Sequence, residues 1–125
     1  MTTEAKLTPA EISSTLRGFT GTMEYHSLGN LFPSLVLTDG AAFLAKEIAG
    51  WLVTDIAAVY QCKYRQIPFQ VWELKKKEDG TAVLTMKEDS GQPVKYRQVY
   101  EWVDFPLNEI KLYVIDGVML LPSEY

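Results

Sequence analysis

Residues 69–87 read FQVWELKKKEDGTAVLTMK. Two runs rich in β-branched and aromatic residues, FQVWELKK and TAVLTMK, flank the pair Asp79-Gly80. Such runs form strands, and Asp-Gly suits a tight hairpin turn because Gly accepts positive φ. The same pattern continues downstream in PVKYRQVYEWV, IKLYVI and VMLLP, with a longer turn over 88–93 and a second Asp-Gly pair at Asp116-Gly117. The expectation is an antiparallel sheet of about five strands joined by consecutive hairpins.

Upstream the period lengthens to that of helices. Thr8-Pro9-Ala10-Glu11 places Thr at an N-cap, Pro at the first helical position and Glu three residues after the cap. That is a capping box. Ile12 and Leu16 give this helix, over about 9–17, one apolar stripe, and Gly18 ends it. From Gly40 to Gln61 apolar residues recur at three- and four-residue steps, from Leu44 through Ile48, Trp51, Leu52, Ile56 and Val59 to Tyr60. This reads as the central buried helix, broken in two at Gly50, which disfavours helix by about 1 kcal/mol. Residues 19–34 carry turn residues at Gly21, Gly29-Asn30 and Pro33 and read as a long irregular segment. Leu35–Leu37 reads as a brief strand or simply extended chain. Helices first and strands afterwards make an α+β domain of N-terminal helices packed on the sheet. It occupies 1–125 as one unit, with 1–7 expected to be a flexible N-terminus.

At 125 residues with 47% apolar content, the chain can bury a core without a disulfide or metal staple. The net charge of −4 disfavours general nucleic-acid binding. Charge is segregated along the chain. Residues 1–60 hold three cations against six acids, 61–97 eight against five, and 98–125 one against five. The lone Cys62 excludes an intramolecular disulfide and implies a reducing compartment. With no basic, apolar leader at the N-terminus and no uninterrupted apolar span, a cytoplasmic protein without a membrane partner is expected.

Searching for chemistry excludes more than it finds. One His, His26, rules out multi-His metal sites, and one Cys rules out zinc ribbons and Cys-x-x-Cys redox motifs. Nucleotide-binding glycine loops and the G-x-S-x-G elbow are absent from the sequence. No cofactor or metal is expected. Cys62 with His26 is the one formal nucleophile–base pair, against a plain reading of Cys62 as a small buried hydrophobe closing the helix. Asp39 with Asp104, or Asp55 with Glu124, are the carboxylate pairs that acid–base or divalent-metal chemistry would need. Thr38-Asp39-Gly40 opens the central helix. There, N–H donors suit either an anionic ligand or a capping side chain, and Asp39 at the positive end of the dipole favours the cap.

Two surfaces are candidates for binding. Glu101, Asp104, Glu109, Asp116 and Glu124, on the acidic last segment, would present carboxylates to a basic protein partner. Lys63, Arg65, Lys75, Lys77, Lys95 and Arg97, interleaved with aromatics such as Tyr96, would suit single-stranded nucleic acid through stacking and phosphate contact. The same pattern also describes the solvated, lysine-protected face of an ordinary sheet.

The segments LTDGAAFLA, GWLVTDIA, FQVWEL, DFPLNEIKLYV and LLPSEY together resemble a family of small bacterial proteins, met also in mobile elements, known only as a domain of unknown function. The resemblance covers about residues 10–125. It brings no activity, cofactor or catalytic residue, and implies a setting in which accessory proteins act on host machinery. The expected function is a non-enzymatic, protein-binding regulatory module, a mobile-element or phage inhibitor of the anti-CRISPR kind. The alternatives are a single-stranded nucleic-acid binder and a small carboxylate enzyme. The expected partner is another protein, ahead of nucleic acid, and a homo-oligomer stays open.

Overall fold

A computed structural model describes residues 8–89 and 91–125; the segment 1–7, read above as flexible, lies outside them. Helix α1, Pro9–Gly18, starts on the capping box. The Thr8 hydroxyl accepts from the Glu11 N–H at 3.2 Å, and the Glu11 carboxylate accepts from the Thr8 N–H at 2.8 Å. Ile12 and Leu16 are its buried stripe. After an irregular segment come two minimal strands, β1 (His26–Ser27) and β2 (Val36–Leu37).

The central helix is in two pieces, as Gly50 suggested. α2, Asp39–Phe43, runs on into a π-helical turn over Leu44–Ile48. The chain breaks at Ala49 (φ −150°, ψ 69°) and resumes as α3, Gly50–Val59, with a second π-helical turn at Tyr60–Tyr64. The glycine is needed for contact. A Cβ on Gly50 would lie 2.9 Å from the Ala45 carbonyl oxygen, inside normal packing distance.

Five longer elements follow, β3 (Phe69–Lys76), β4 (Ala82–Lys87), β5 (Val94–Tyr100), β6 (Glu109–Ile115) and β7 (Val118–Leu120), then a 3-10 turn at Pro122–Glu124. Three features differ from the sequence expectation. The sheet has seven strands, in the order β1-β2-β7-β6-β3-β4-β5. β2 lies parallel to β7, the other pairs being antiparallel. β6 makes no hairpin with β5 but returns beside β3, so β6-β3-β4-β5 is a Greek key. The connection over 101–108 explains the return. It buries Val103 and Phe105, donates the Val103 N–H to the Gly80 carbonyl at 2.9 Å, and takes the Lys76 ammonium on the Phe105 carbonyl at 2.6 Å.

Side chains alternate across the sheet. Trp72 and Leu74 of β3, Leu84 and Met86 of β4, Leu112 and Val114 of β6 and Met119 of β7 form one core with Leu44, Leu52, Val53 and Ile56 of the helices. The buried Trp72 indole donates to Gln70 Oε1 at 2.8 Å, and Gln70 donates onward to the Tyr64 carbonyl at 2.7 Å, so these two buried side chains are paired. α3 is tied to β5 where the Tyr100 hydroxyl donates to Asp55 at 2.7 Å. Burial, then the Asp55 carboxylate, push that hydroxyl's pKa above its ordinary value.

The two Asp-Gly turns differ. At the first, the Lys77 N–H reaches the Thr81 carbonyl at 2.8 Å and Gly80 has φ +94°, which makes a three-residue loop ending in a left-handed glycine. At the second, Asp116 (φ 50°) and Gly117 (φ 82°) form a two-residue type I′ turn between Ile115 and Val118. A Cβ at Gly117 would also meet the Ser34 carbonyl oxygen at 2.9 Å. Gly117→Val should therefore cost more than about 1 kcal/mol in denaturant unfolding. An unchanged midpoint would contradict the turn.

Candidate functional site

The Thr38-Asp39-Gly40 turn is occupied from within the chain. Thr38 caps α2, its hydroxyl accepting from the Ala41 N–H at 3.3 Å. The same hydroxyl donates to Glu124 Oε1 at 2.6 Å, and the Gly40 N–H donates to Glu124 Oε2 at 3.0 Å. Glu124 Oε1 also accepts the Leu121 N–H at 2.9 Å. A Cβ on Gly40 would lie 2.5 Å from Glu124 Oε1, so only glycine admits the carboxylate. An anion does sit at this helix start, and it is the protein's own.

Asp39 turns outward and holds the long segment. Its Oδ2 accepts the Met23 N–H at 2.8 Å and its Oδ1 meets His26 Nε2 at 2.9 Å, while its own N–H donates to the Thr22 hydroxyl at 2.9 Å. The Met23 N–H first, and His26 second, hold the Asp39 carboxyl below the ordinary aspartate value of 3.8. Further along, Gln61 Nε2 donates to the Leu31 carbonyl at 2.9 Å. The segment is thus fixed at both ends of its middle portion. Phe19, Leu28 and Phe32 turn inward onto the core. Met23, Tyr25 and Leu31 turn outward, 92%, 63% and 77% exposed. Three large apolar side chains on one pinned loop are the feature that sequence reading missed. Its only trace there was scattered apolar residues among turn formers.

The residues singled out from sequence fall as follows. Of the acidic set, Glu124 is bonded to α2, Glu101 and Asp104 are exposed in the 101–108 connection, and Glu109 and Asp116 flank the two ends of β6, roughly 23 Å apart at strand rise. They do not form one patch. Glu109 stands opposite Lys75. Of the basic set, Lys75 and Arg97 lie on the sheet face away from the helices, Lys95 pairs with Glu88 at 3.0 Å, Lys77 is in a turn, and Lys63 and Arg65 close the second helical piece. Tyr96 is on the opposite face, its ring against Trp72 and Tyr64 and its hydroxyl on Gln98 at 2.6 Å. Strand alternation therefore separates the cations from the aromatics with which they interleave in sequence.

The proposed chemical pairs are not brought together. Asp39, Asp55 and Glu124 each serve a different partner. His26 is on Asp39, and Cys62 is exposed rather than buried. Among the described residues no group of three His, Cys, Asp or Glu is placed to hold a metal ion, and no helix is long and apolar enough to cross a membrane. Tyr125 packs edge-on against Phe69 and Tyr113 at 5.9 and 5.4 Å while remaining mostly exposed. With Val71, Glu88 and Asp89 these rings line a shallow cleft of about 440 Å³.

The model of a family of unknown function, DUF6876, matches residues 10–125. The chain belongs to that family. No curated protein and no solved structure matches it.

The Asp39 anchor has a pH signature. A carboxyl with a lowered folded pKa contributes stability that is present above its unfolded value and lost as pH falls through the folded one. Asp39→Asn should therefore be less stable than the parent at neutral pH, with the gap closing as pH drops below about 4. Hydrogen exchange at the Met23 amide should accelerate in the variant. A pH-independent gap, or unchanged exchange, would contradict the anchor.

Proposed function

We propose that the protein is a non-enzymatic protein-binding module whose recognition element is the pinned loop carrying Met23, Tyr25 and Leu31. One observation carries this reading: the loop's backbone is fixed by Asp39 and Gln61 while its three largest outward side chains stay in solvent. Exposed apolar patches mark interaction surfaces, and these three side chains share one short segment of chain. A fixed backbone lowers the ordering cost of binding, and Met and Tyr are favoured at such contacts. The partner surface is an apolar groove on another protein. The acidic balance of the chain favours a basic rim around that groove.

The regulatory form of this reading is a mobile-element or phage accessory protein that occupies a host protein's working surface, as anti-CRISPR inhibitors do. It is supported by the setting that the sequence resemblance implies, and it would put the protein in the cytoplasm. The single-stranded nucleic-acid reading loses its main support because Tyr96 faces the helices.

The test is capture from a lysate of the source organism with parent bait and with a Met23→Ser, Tyr25→Ser, Leu31→Ser bait. These side chains contribute little to the core, so the variant should keep the parent's melting behaviour. Partners recovered by the parent should be lost by the variant. Identical recovery by both baits would overturn the reading.

A further inference from the structure

We propose that the cleft beside Tyr125 is a binding site for an organic cation of the alkylammonium class. Its floor and one wall come from the sheet face turned away from the helices. Trp72, Leu112 and Val114 belong to the helix-facing core, so strand alternation turns Phe69 and Val71 of β3 and Tyr113 of β6 the other way. Tyr125 joins them from the residue after the 3-10 turn, which Glu124 seats on α2; its N–H donates to the Pro122 carbonyl at 3.2 Å. Glu88 and Asp89 complete the lining. They follow directly on Lys87, the residue of β4 that stands opposite Val71. β6 and β4 flank β3 on opposite sides, so Tyr113 and the two carboxylates lie across Phe69 and Val71 from one another.

Both walls select a positive charge. The face of an aromatic ring carries the negative part of its quadrupole and attracts a cation, and carboxylates attract one directly. The ring angles then select its shape. Tyr125 stands at 74° to Phe69 and 78° to Tyr113, with centroids 5.9 and 5.4 Å apart. A sugar, a base or a guanidinium is flat and stacks best on parallel faces. Rings set near right angles leave a corner, which a rounded group with methyl or methylene substituents fills while touching both faces. The volume of about 440 Å³ falls in the small-molecule range of about 300–1,000 Å³. Glu88 already holds Lys95 through Oε2 at 3.0 Å, but both side chains are close to half exposed, where such pairs are weak. A carboxylate also accepts from several donors at once. Lys87, the other cation at this rim, is not among the residues that line the cleft.

Titration of the intact chain with choline, followed by NMR, tests the site. The controls are the neutral analogue of choline, with carbon in place of the ammonium nitrogen, and methyl glucoside as a flat ring. Choline should give saturable shifts centred on Phe69, Val71, Glu88, Tyr113 and Tyr125. It should bind about fivefold or more tightly than its neutral analogue, since rings and carboxylate both favour the charge. Tyr125→Leu keeps an apolar contact but removes the ring face, and Glu88→Gln removes a charge. Each should weaken choline binding by about twofold to fivefold, with melting behaviour kept. No saturable shift with choline, equal affinity for the neutral analogue, tighter binding of methyl glucoside, or binding that either variant leaves undiminished would overturn the proposal. The serine-substituted loop variant should bind choline as the parent does, so the outcome here is separate from the fate of the loop reading.

Discussion

The carboxylate of Glu124 against the first turn of α2 is the contact on which the rest of the arrangement depends. A helix start presents unpaired N–H groups and the positive end of the backbone dipole. Here a side chain 84 residues away in sequence from Gly40 answers both. The carboxylate closes the chain onto itself: the same 3-10 turn hands the Ser123 hydroxyl to the Leu16 carbonyl of α1 at 3.1 Å. One residue after Thr38, Asp39 faces the other way and holds the Met23 N–H and the His26 ring. A single helix start therefore joins the C-terminus, α1 and the exposed loop. Glycine at 40 is the geometric condition for the Glu124 contact, since a Cβ there would displace the carboxylate.

Much of the fold was legible because it is local. The capping box at Thr8, the break before Gly50, the left-handed glycines at 80 and 117 and the periods of the longer strands each depend on a few neighbouring residues. What was not legible is the choice of partner at long range. Hairpin turns explain β3-β4 and β6-β7, but nothing between Tyr100 and Glu109 announces that β6 will cross to β3. That choice follows from burying Val103 and Phe105 and from the Gly80 carbonyl. Pairing of β2 with β7 involves two residues on each side, too few to leave a pattern.

The same division holds for the site. Reading the Thr38-Asp39-Gly40 turn as a cap was correct, and the structure gives the role to Thr38. The identity of the anion was hidden, because Glu124 looked like one more surface acid in an acidic segment. The alternation of cations and aromatics between Lys95 and Tyr100 was visible, but its meaning reverses once strand geometry assigns odd and even positions to opposite faces. The loop at one boundary of the sheet and the open edge at the other are products of topology.

A double-mutant cycle on Thr38 and Glu124 tests the central contact most directly, with denaturant unfolding as the readout. Glu124→Ala should lose roughly 1.5–3 kcal/mol, as expected for hydrogen bonds to a charged group. In a Thr38→Val background the same change should cost clearly less, with a coupling of about 0.5–3 kcal/mol between the two sites. Losses that add to within about 0.3–0.5 kcal/mol would mean that Glu124 is not seated on the helix start, and the account would fail.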